Sequence, residues 1–75
     1  MAKLPIISGR ETVRKFELVG YRVKRQRGSH IRMKHPSNPK CKPLSVPDHA
    51  ALGKGLLHKL LRDADMTVEE FLKLQ

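Results

Sequence analysis

One histidine in a basic stretch of the sequence has the neighbours that chemistry on a phosphate group needs. His30 follows Gly28 and Ser29, and basic and apolar residues alternate from His30 to Lys34. Basic side chains bind phosphate, and an imidazole can take up or release a proton near neutral pH. The other interpretation is a solvated strand face on a basic protein, which needs no function. The residue pattern alone leaves both interpretations open.

The other three histidines are weaker candidates. His49 stands in Pro47-Asp48-His49, ahead of a predicted helix, where it could lie near a phosphate bound by the amides of the helix N-terminus. A residue in this position is more often a cap or a packed loop histidine. His58 lies among leucines on a predicted helix, and His35 leads into a proline-rich loop. We expect His35 and His58 to be structural or solvated.

The sequence argues against a metal site and against a complete phosphate loop. The available zinc ligands have spacings that fit no paired-ligand pattern, and there is no second cysteine. These ligands are His30, His35, Cys41 and His49. Gly53-Lys54-Gly55 resembles part of a phosphate loop but lacks the rest of a Walker motif, and backbone freedom at a helix start explains it better. We therefore expect no metal and no other cofactor.

The candidate histidine lies in a predicted β-hairpin. Polar and apolar residues alternate from Tyr21 to His35, and Gly28-Ser29 interrupts the alternation, as a turn would. In the first strand one face carries Tyr21 and Val23, and the other carries Arg22, Lys24 and Gln26. In the second strand one face carries Ile31 and Met33, and the other carries His30, Arg32 and Lys34.

The register of this hairpin follows from its faces, because residues directly opposed in an antiparallel pair point to the same side of the sheet. A two-residue loop at Gly28-Ser29 alone would oppose Val23 to Lys34 and mix core with solvent. An odd-numbered loop, or a β-bulge, opposes Val23 to Met33 and collects the apolar side chains on one side. We therefore predict an open face that His30 shares with Arg22, Lys24, Gln26, Arg32 and Lys34.

The elements on either side of the hairpin are predicted from a cap and from the prolines. Ser8 and Glu11 have the spacing of a capping box and precede an apolar stripe, which predicts a helix over residues 9–19. Residues 36–43 contain three prolines and must form a loop. Leu44-Ser45-Val46 is then a short third strand.

Two helices complete the predicted fold. Leucines repeat with helical spacing from a start near Gly55, and a second capping box at Thr67 predicts a short terminal helix. The order is that of an α+β fold, αβββα(α), in which a three-stranded antiparallel sheet carries the helices on one face. We expect residues 1–75 to form a single domain.

Length and composition limit the class of protein. The chain has 75 residues, with 16 Lys and Arg against 7 Asp and Glu, and a formal net charge of +9. This charge attracts polyanions, so nucleic acid is the first expected partner. A hydrophobic content of 39% permits a modest aliphatic core, and the single cysteine excludes an intramolecular disulfide. No apolar run has the length of a signal sequence or a membrane span, and we expect a cytoplasmic protein.

Taken together and in order, several short motifs resemble those of the HicA toxin family. The resemblance runs from about residue 3 to residue 72. The motifs are Leu4-Pro5, Ser8-Gly9-Arg10-Glu11, Gly20-Tyr21, Arg25-Gln26-Arg27-Gly28-Ser29-His30, Val46-Pro47-Asp48-His49 and Lys54-Gly55-Leu56, followed by Leu60-Leu61 and Ala64. The chain departs from the family pattern at Leu56, where the family often has Thr, and at Asp65, where it usually has Gly.

The resemblance implies a fold similar to the double-stranded-RNA-binding domain and a type II toxin that cleaves mRNA and is neutralised by a HicB antitoxin. It also implies that His30 is the essential histidine. In a metal-independent mechanism His30 would take the proton from a ribose 2′-hydroxyl, and His49 is a candidate acid for the leaving oxygen. The candidate RNA contacts are Arg22, Lys24, Arg25, Arg27, Gly28, Ser29, Arg32, Lys34 and Lys54.

Two other classes of function remain as alternatives. A non-catalytic RNA-binding module of the same fold would need only the basic face and the N-terminus of the second helix, but it would not need the histidine of Gly28-Ser29-His30. A DNA-binding or purely structural protein fits less well, because no second apolar face supports a recognition helix.

Overall fold

The elements of the protein follow one another in the predicted order. A computed structural model describes residues 3–74; Met1, Ala2 and Gln75, which the predicted domain of residues 1–75 includes, lie outside the described residues. The elements are α1 (Gly9–Leu18), β1 (Arg22–Arg27), β2 (His30–Lys34), β3 (Leu44–Pro47), α2 (Lys54–Asp63) and α3 (Val68–Leu72). The strands form an antiparallel sheet in the order β1-β2-β3. The α+β class with αβββα(α) order is confirmed, and it is compatible with a fold like the double-stranded-RNA-binding domain.

Both predicted capping boxes are present. The Ser8 hydroxyl accepts from the Glu11 amide at 3.1 Å, and the Glu11 carboxylate accepts from the Ser8 amide at 3.4 Å. At α3 the Thr67 hydroxyl accepts from the Glu70 amide at 3.1 Å, and the Glu70 carboxylate accepts from the Thr67 amide at 2.8 Å. These bonds satisfy first-turn amides that a helix leaves free, so the two starts are fixed locally by sequence.

The helices cover one face of the sheet. On that face the strands bury the side chains of Ile31, Met33, Leu44 and Val46. Against them pack Phe16, Leu57, Leu60, Leu61 and Phe71, each 0–2% exposed. Within residues 3–74 no helix packs on the other face, so the side chains of that face point to solvent. None of the helices in this part of the chain has the length and apolar character needed to cross a membrane.

Tyr21 anchors the chain between α1 and β1. Its ring meets that of Phe16 edge-on, with centroids 5.6 Å apart, and its hydroxyl donates to the Lys42 carbonyl at 2.8 Å. Burial raises the pKa of the Tyr21 hydroxyl well above its ordinary value, and the nearby Cys41 thiol raises it further. The neutral phenol is therefore part of the folded state.

The hairpin combines a two-residue turn with a β-bulge. Arg27 pairs with His30, so Gly28 and Ser29 alone form the turn. Gly28 has a φ of +56°, which a glycine adopts without strain. The register shifts between Val23 and Arg25, and Val23 pairs with Met33. The predicted pairing of Val23 with Met33 is confirmed, and of the two predicted alternatives, an odd-numbered loop or a bulge, the protein has the bulge. Val23 nevertheless remains 44% exposed.

The position of the bulge corrects one prediction. Lys24 is the additional residue of the bulge, so the alternation of β1 shifts by one position after it. Gln26 pairs with Ile31 and lies on the helix side of the sheet; the prediction that it shares the face of His30 is wrong. Arg25 takes a place on the open face instead, opposite Arg32.

Candidate nucleic-acid interface

The open face of the sheet carries its side chains in three rows. In the first row His30 stands on the central strand between Arg27 and Pro47. The second row contains Arg25, Arg32 and Ser45, and the third contains Arg22 and Lys34. Directly opposed residues have Cβ atoms about 4.5–5.5 Å apart. His30 therefore neighbours Arg27 in its own row and Arg25 and Arg32 in the next row.

These rows concentrate positive charge that no carboxylate of the strands offsets. β1 and β2 contain no Asp or Glu. The ion pairs found among residues 3–74 are Arg10 with Asp48 and Lys59 with Asp63, and neither includes a strand residue. Arg25 opposite Arg32 and Arg22 opposite Lys34 are like-charge pairs, which destabilise a sheet. A phosphate backbone laid across the rows would relieve this repulsion.

His30 is held in place by its backbone alone. It is the first residue of β2 and is exposed. Within the described part of the chain no hydrogen bond to its ring occurs. An imidazole that is exposed and not engaged by the protein is available to a substrate in a way that a packed histidine is not.

The other predicted contact residues fall into two groups. Gly28 and Ser29 form the exposed turn next to His30, and Lys24 lies in the bulge beside Arg25. Lys54 is exposed at the first residue of α2, on an element that packs against the opposite side of the sheet. The fold therefore brings the strand residues and the turn together and leaves Lys54 apart from them.

His49 lies near the first row along the chain, because β3 ends in that row. It is exposed and follows Pro47, the residue opposite His30, by two positions. Its carbonyl accepts from the Gly9 amide at 2.9 Å, so α1 fixes the backbone and leaves the imidazole exposed. His49 is therefore an exposed histidine two residues along the chain from the partner of His30.

His35 and His58 have the roles predicted for them. The Nδ1 atom of His35 accepts from the amides of Ser37 and Asn38 at 3.3 and 3.0 Å. Its Nε2 atom therefore carries the proton and donates to the Val19 carbonyl at 2.9 Å. His35 is structural, and His58 is exposed on α2.

A shallow groove follows the open face toward the end of the hairpin that is remote from the turn. It has a volume of about 250 Å³. Its lining residues are Lys24, Arg25, Arg32, Met33, Lys34 and Pro43. The basic surface therefore extends along this groove, beyond the row that contains His30. Within residues 3–74, no group of three or more His, Cys, Asp and Glu side chains is arranged to hold a metal ion.

The structure adds a polar network around Asp48 that sequence patterns did not identify. Asp48 Oδ2 accepts from Arg10 Nη2 at 3.0 Å and from Gln26 Nε2 at 3.3 Å. The Asp48 amide donates to the Ser29 carbonyl at 2.6 Å. One sequence signal was available, because Asp48 is the only acidic residue between Glu17 and Asp63.

Comparison with known proteins identifies a family that this chain matches. Residues 9–66 match a family model described as HicA toxin of bacterial toxin–antitoxin systems. The matched segment begins with α1 and extends past the end of α2, so it includes the whole sheet and its open face. Neither the curated proteins nor the solved structures gave a significant match.

Proposed function

Because the chain belongs to the HicA toxin family, and is therefore the toxin of a toxin–antitoxin system, we propose that it is a type II toxin that cleaves mRNA as a metal-independent endoribonuclease, with His30 as its catalytic residue. The observation that carries this proposal is the first row of the open face. An exposed imidazole stands there beside Arg27, and Arg25 and Arg32 occupy the next row. Proton transfer and charge stabilisation are thus available at one point on a surface that attracts phosphate.

RNA binds to the open face through its phosphates. The cations of β1 and β2 are spread along two strands, which suits a charged backbone better than the edge of a single base. The open-face rows contain no Phe, Tyr or Trp on which bases could stack. Binding is therefore dominated by electrostatics, and its affinity falls steeply as salt concentration rises.

The reaction is an internal transesterification. His30 takes the proton from a ribose 2′-hydroxyl, and the resulting oxyanion attacks the adjacent phosphorus. The bond from phosphorus to the 5′-oxygen breaks, which leaves a 2′,3′-cyclic phosphate on one fragment and, after protonation, a 5′-hydroxyl on the other. The nearby arginines stabilise the charge that develops on the phosphoryl oxygens, a contribution worth about 2.7–4 kcal/mol per donor in other enzymes.

His49 is the candidate acid for the leaving 5′-oxygen. Two observations support this role: His49 is exposed, and it lies two residues after Pro47, which pairs with His30. If His49 protonates the leaving group, its replacement by alanine lowers the rate of cleavage but leaves RNA binding unchanged. If water protonates the leaving group, that replacement has no effect on the rate.

The same face is the surface that the antitoxin covers. A partner that lies over the rows of β1 and β2 blocks RNA directly, and acidic side chains on that partner would neutralise the like-charge pairs. A HicB-type antitoxin fits this role by family. We further propose that residues 1–75 act as one HicA-like domain in the cytoplasm, where mRNA is the available substrate.

The experiment is incubation of purified protein with a defined RNA, with and without EDTA, followed by analysis of the fragment ends. We expect cleavage that EDTA does not inhibit and fragments that carry a 2′,3′-cyclic phosphate and a 5′-hydroxyl. Fragments with a 5′-phosphate would contradict the mechanism. RNA that is bound with salt-dependent affinity and never cut would identify the non-catalytic RNA-binding module instead.

A further inference from the structure

We propose that Asp48 is a positioning residue for the turn that presents His30, an inference that rests on the proposed function. Asp48 follows the last residue of β3, and its carboxylate accepts hydrogen bonds from Arg10 of α1 and Gln26 of β1. The backbone amide of Asp48 donates directly to the turn. The hydrogen-bond partners of the carboxylate among residues 3–74 are Arg10 and Gln26, and His30 is not one of them. The role of Asp48 is to restrict where the backbone of Gly28 and Ser29, and therefore the imidazole that follows them, can lie.

Both carbonyl groups of the turn are held by this network. The Ser29 carbonyl accepts from the Asp48 amide at 2.6 Å. The Gly28 carbonyl accepts from Gln26 Nε2 at 3.0 Å, and the same nitrogen donates its other proton to Asp48 Oδ2 at 3.3 Å. The carboxylate therefore orients the Gln26 amide, and the Gln26 amide holds the turn.

The carboxylate is itself fixed from the helix side. Arg10 Nη2 donates to the same Oδ2 atom at 3.0 Å, and the neighbouring His49 carbonyl accepts from the Gly9 amide at 2.9 Å. The Asp48 side chain is 24% exposed, whereas that of Arg10 is 73% exposed. A partly buried carboxylate thus links the position of α1 to the position of the turn.

Positioning of this kind affects the rate of RNA cleavage and not the affinity for RNA. The phosphate contacts of the open face come from other residues, so loss of the Asp48 carboxylate leaves them in place. It also removes a negative charge close to a basic surface, which favours RNA binding slightly. Proton transfer, in contrast, is sensitive to displacements of about 1 Å, which can cost on the order of 10²-fold in rate.

The test compares Asp48→Ala with Asp63→Ala by single-turnover cleavage of one RNA. Asp63 forms the other ion pair of the described residues, with Lys59 at 3.3 Å on α2, and its replacement changes the net charge by the same amount. We expect Asp48→Ala to lower the cleavage rate at saturating RNA by about 10- to 100-fold, with RNA affinity equal to or higher than that of the wild type. Asp63→Ala should cleave as the wild type does.

Two further variants separate positioning from loss of structure. Gln26→Ala removes the middle link and leaves the Asp48–Arg10 pair, and it should reproduce the loss of rate even if Asp48→Ala does not fold. Asp48→Asn keeps an oxygen that can accept from Gln26, and it should restore most of the rate. Rates at saturating RNA that are equal in Asp48→Ala, Gln26→Ala and Asp63→Ala would overturn the inference, as would an effect on affinity alone.

His30→Ala in the same assay distinguishes this inference from the proposed function. If His30→Ala is inactive and Asp48→Ala is fully active, the positioning role is wrong and the proposed function stands. If His30→Ala cleaves at the wild-type rate, the proposed function is wrong, and the positioning role falls with it.

Discussion

Replacement of Gly9 by alanine should destabilise the protein, although the same change in a helix is ordinarily favourable. Gly9 begins α1 where the helix meets the end of β3, and a Cβ atom there would overlap the Pro47 carbonyl oxygen and lie 3.2 Å from Asp48 Cα. Relief requires α1 to move away, which strains the 2.9 Å bond from the Gly9 amide to the His49 carbonyl. Overpacking costs about 1–3 kcal/mol and a lost hydrogen bond about 0.5–1.5 kcal/mol, whereas alanine in a helix gains up to about 1 kcal/mol relative to glycine. We therefore expect a net loss of roughly 0.5–4.5 kcal/mol in the free energy of unfolding.

Gly55→Ala is the matched control for this prediction. Gly55 is also near the start of a helix, α2, and an added Cβ atom would meet no other atom within 4 Å. We expect this variant to gain up to about 1 kcal/mol. Urea unfolding followed by circular dichroism measures both free energies of unfolding. Stabilisation of the protein by Gly9→Ala, equal to that of Gly55→Ala, would refute the close approach of α1 to residues 47–49.

Three further predictions concern stability and binding. Tyr21→Phe should lower the free energy of unfolding at pH 7 by about 1 kcal/mol, because the bond to the Lys42 carbonyl is lost. Burial raises the pKa of the Tyr21 hydroxyl above its ordinary value of 10.0, so the folded state binds this proton more tightly than the unfolded state does. The free energy of unfolding of the wild type should therefore fall as the pH rises above 10.0. Urea titrations over this pH range should show that Tyr21→Phe lacks this contribution to the fall. Asp65, with a φ of +57°, is strained at the end of α2, so Asp65→Gly should raise the free energy of unfolding by about 1 kcal/mol; a lower melting temperature would contradict this. Reversal of charge at Arg32 and Lys34 should weaken binding of RNA and of a HicB-type antitoxin in titrations, and unchanged affinity for both would place the interface elsewhere.

The elements of the fold were predictable because their signals are local. Ser8 with Glu11, and Thr67 with Glu70, specify helix starts within four residues of sequence, and both starts are found as predicted. The predicted helix over residues 9–19 ends one residue earlier, at Leu18, because Val19 serves as its C-cap. The spacing of apolar residues then shows which face of each helix and strand lies in the core, and this requires no knowledge of contacts between distant residues.

The candidate site was predictable only in part, because its details depend on the bulge and on distant residues. The need to oppose Val23 to Met33 predicts a bulge or an odd-numbered loop but not its position, and the bulge at Lys24 exchanges Gln26 for Arg25 on the open face. The Asp48–Arg10 bond joins residues 38 positions apart, and no periodicity in the sequence reports a contact of that kind.

The role of His30 is tested most directly by single-turnover cleavage of RNA by His30→Ala beside His58→Ala. Both histidines are exposed, and replacement of a surface residue changes stability by about 1 kcal/mol or less, so both variants should fold. We predict that His58→Ala cleaves as the wild type does. His30→Ala should lose about 10²–10⁴-fold in rate and still bind RNA through the remaining cations. A folded His30→Ala protein that cleaves RNA at the wild-type rate would contradict the assignment of His30 as the catalytic residue.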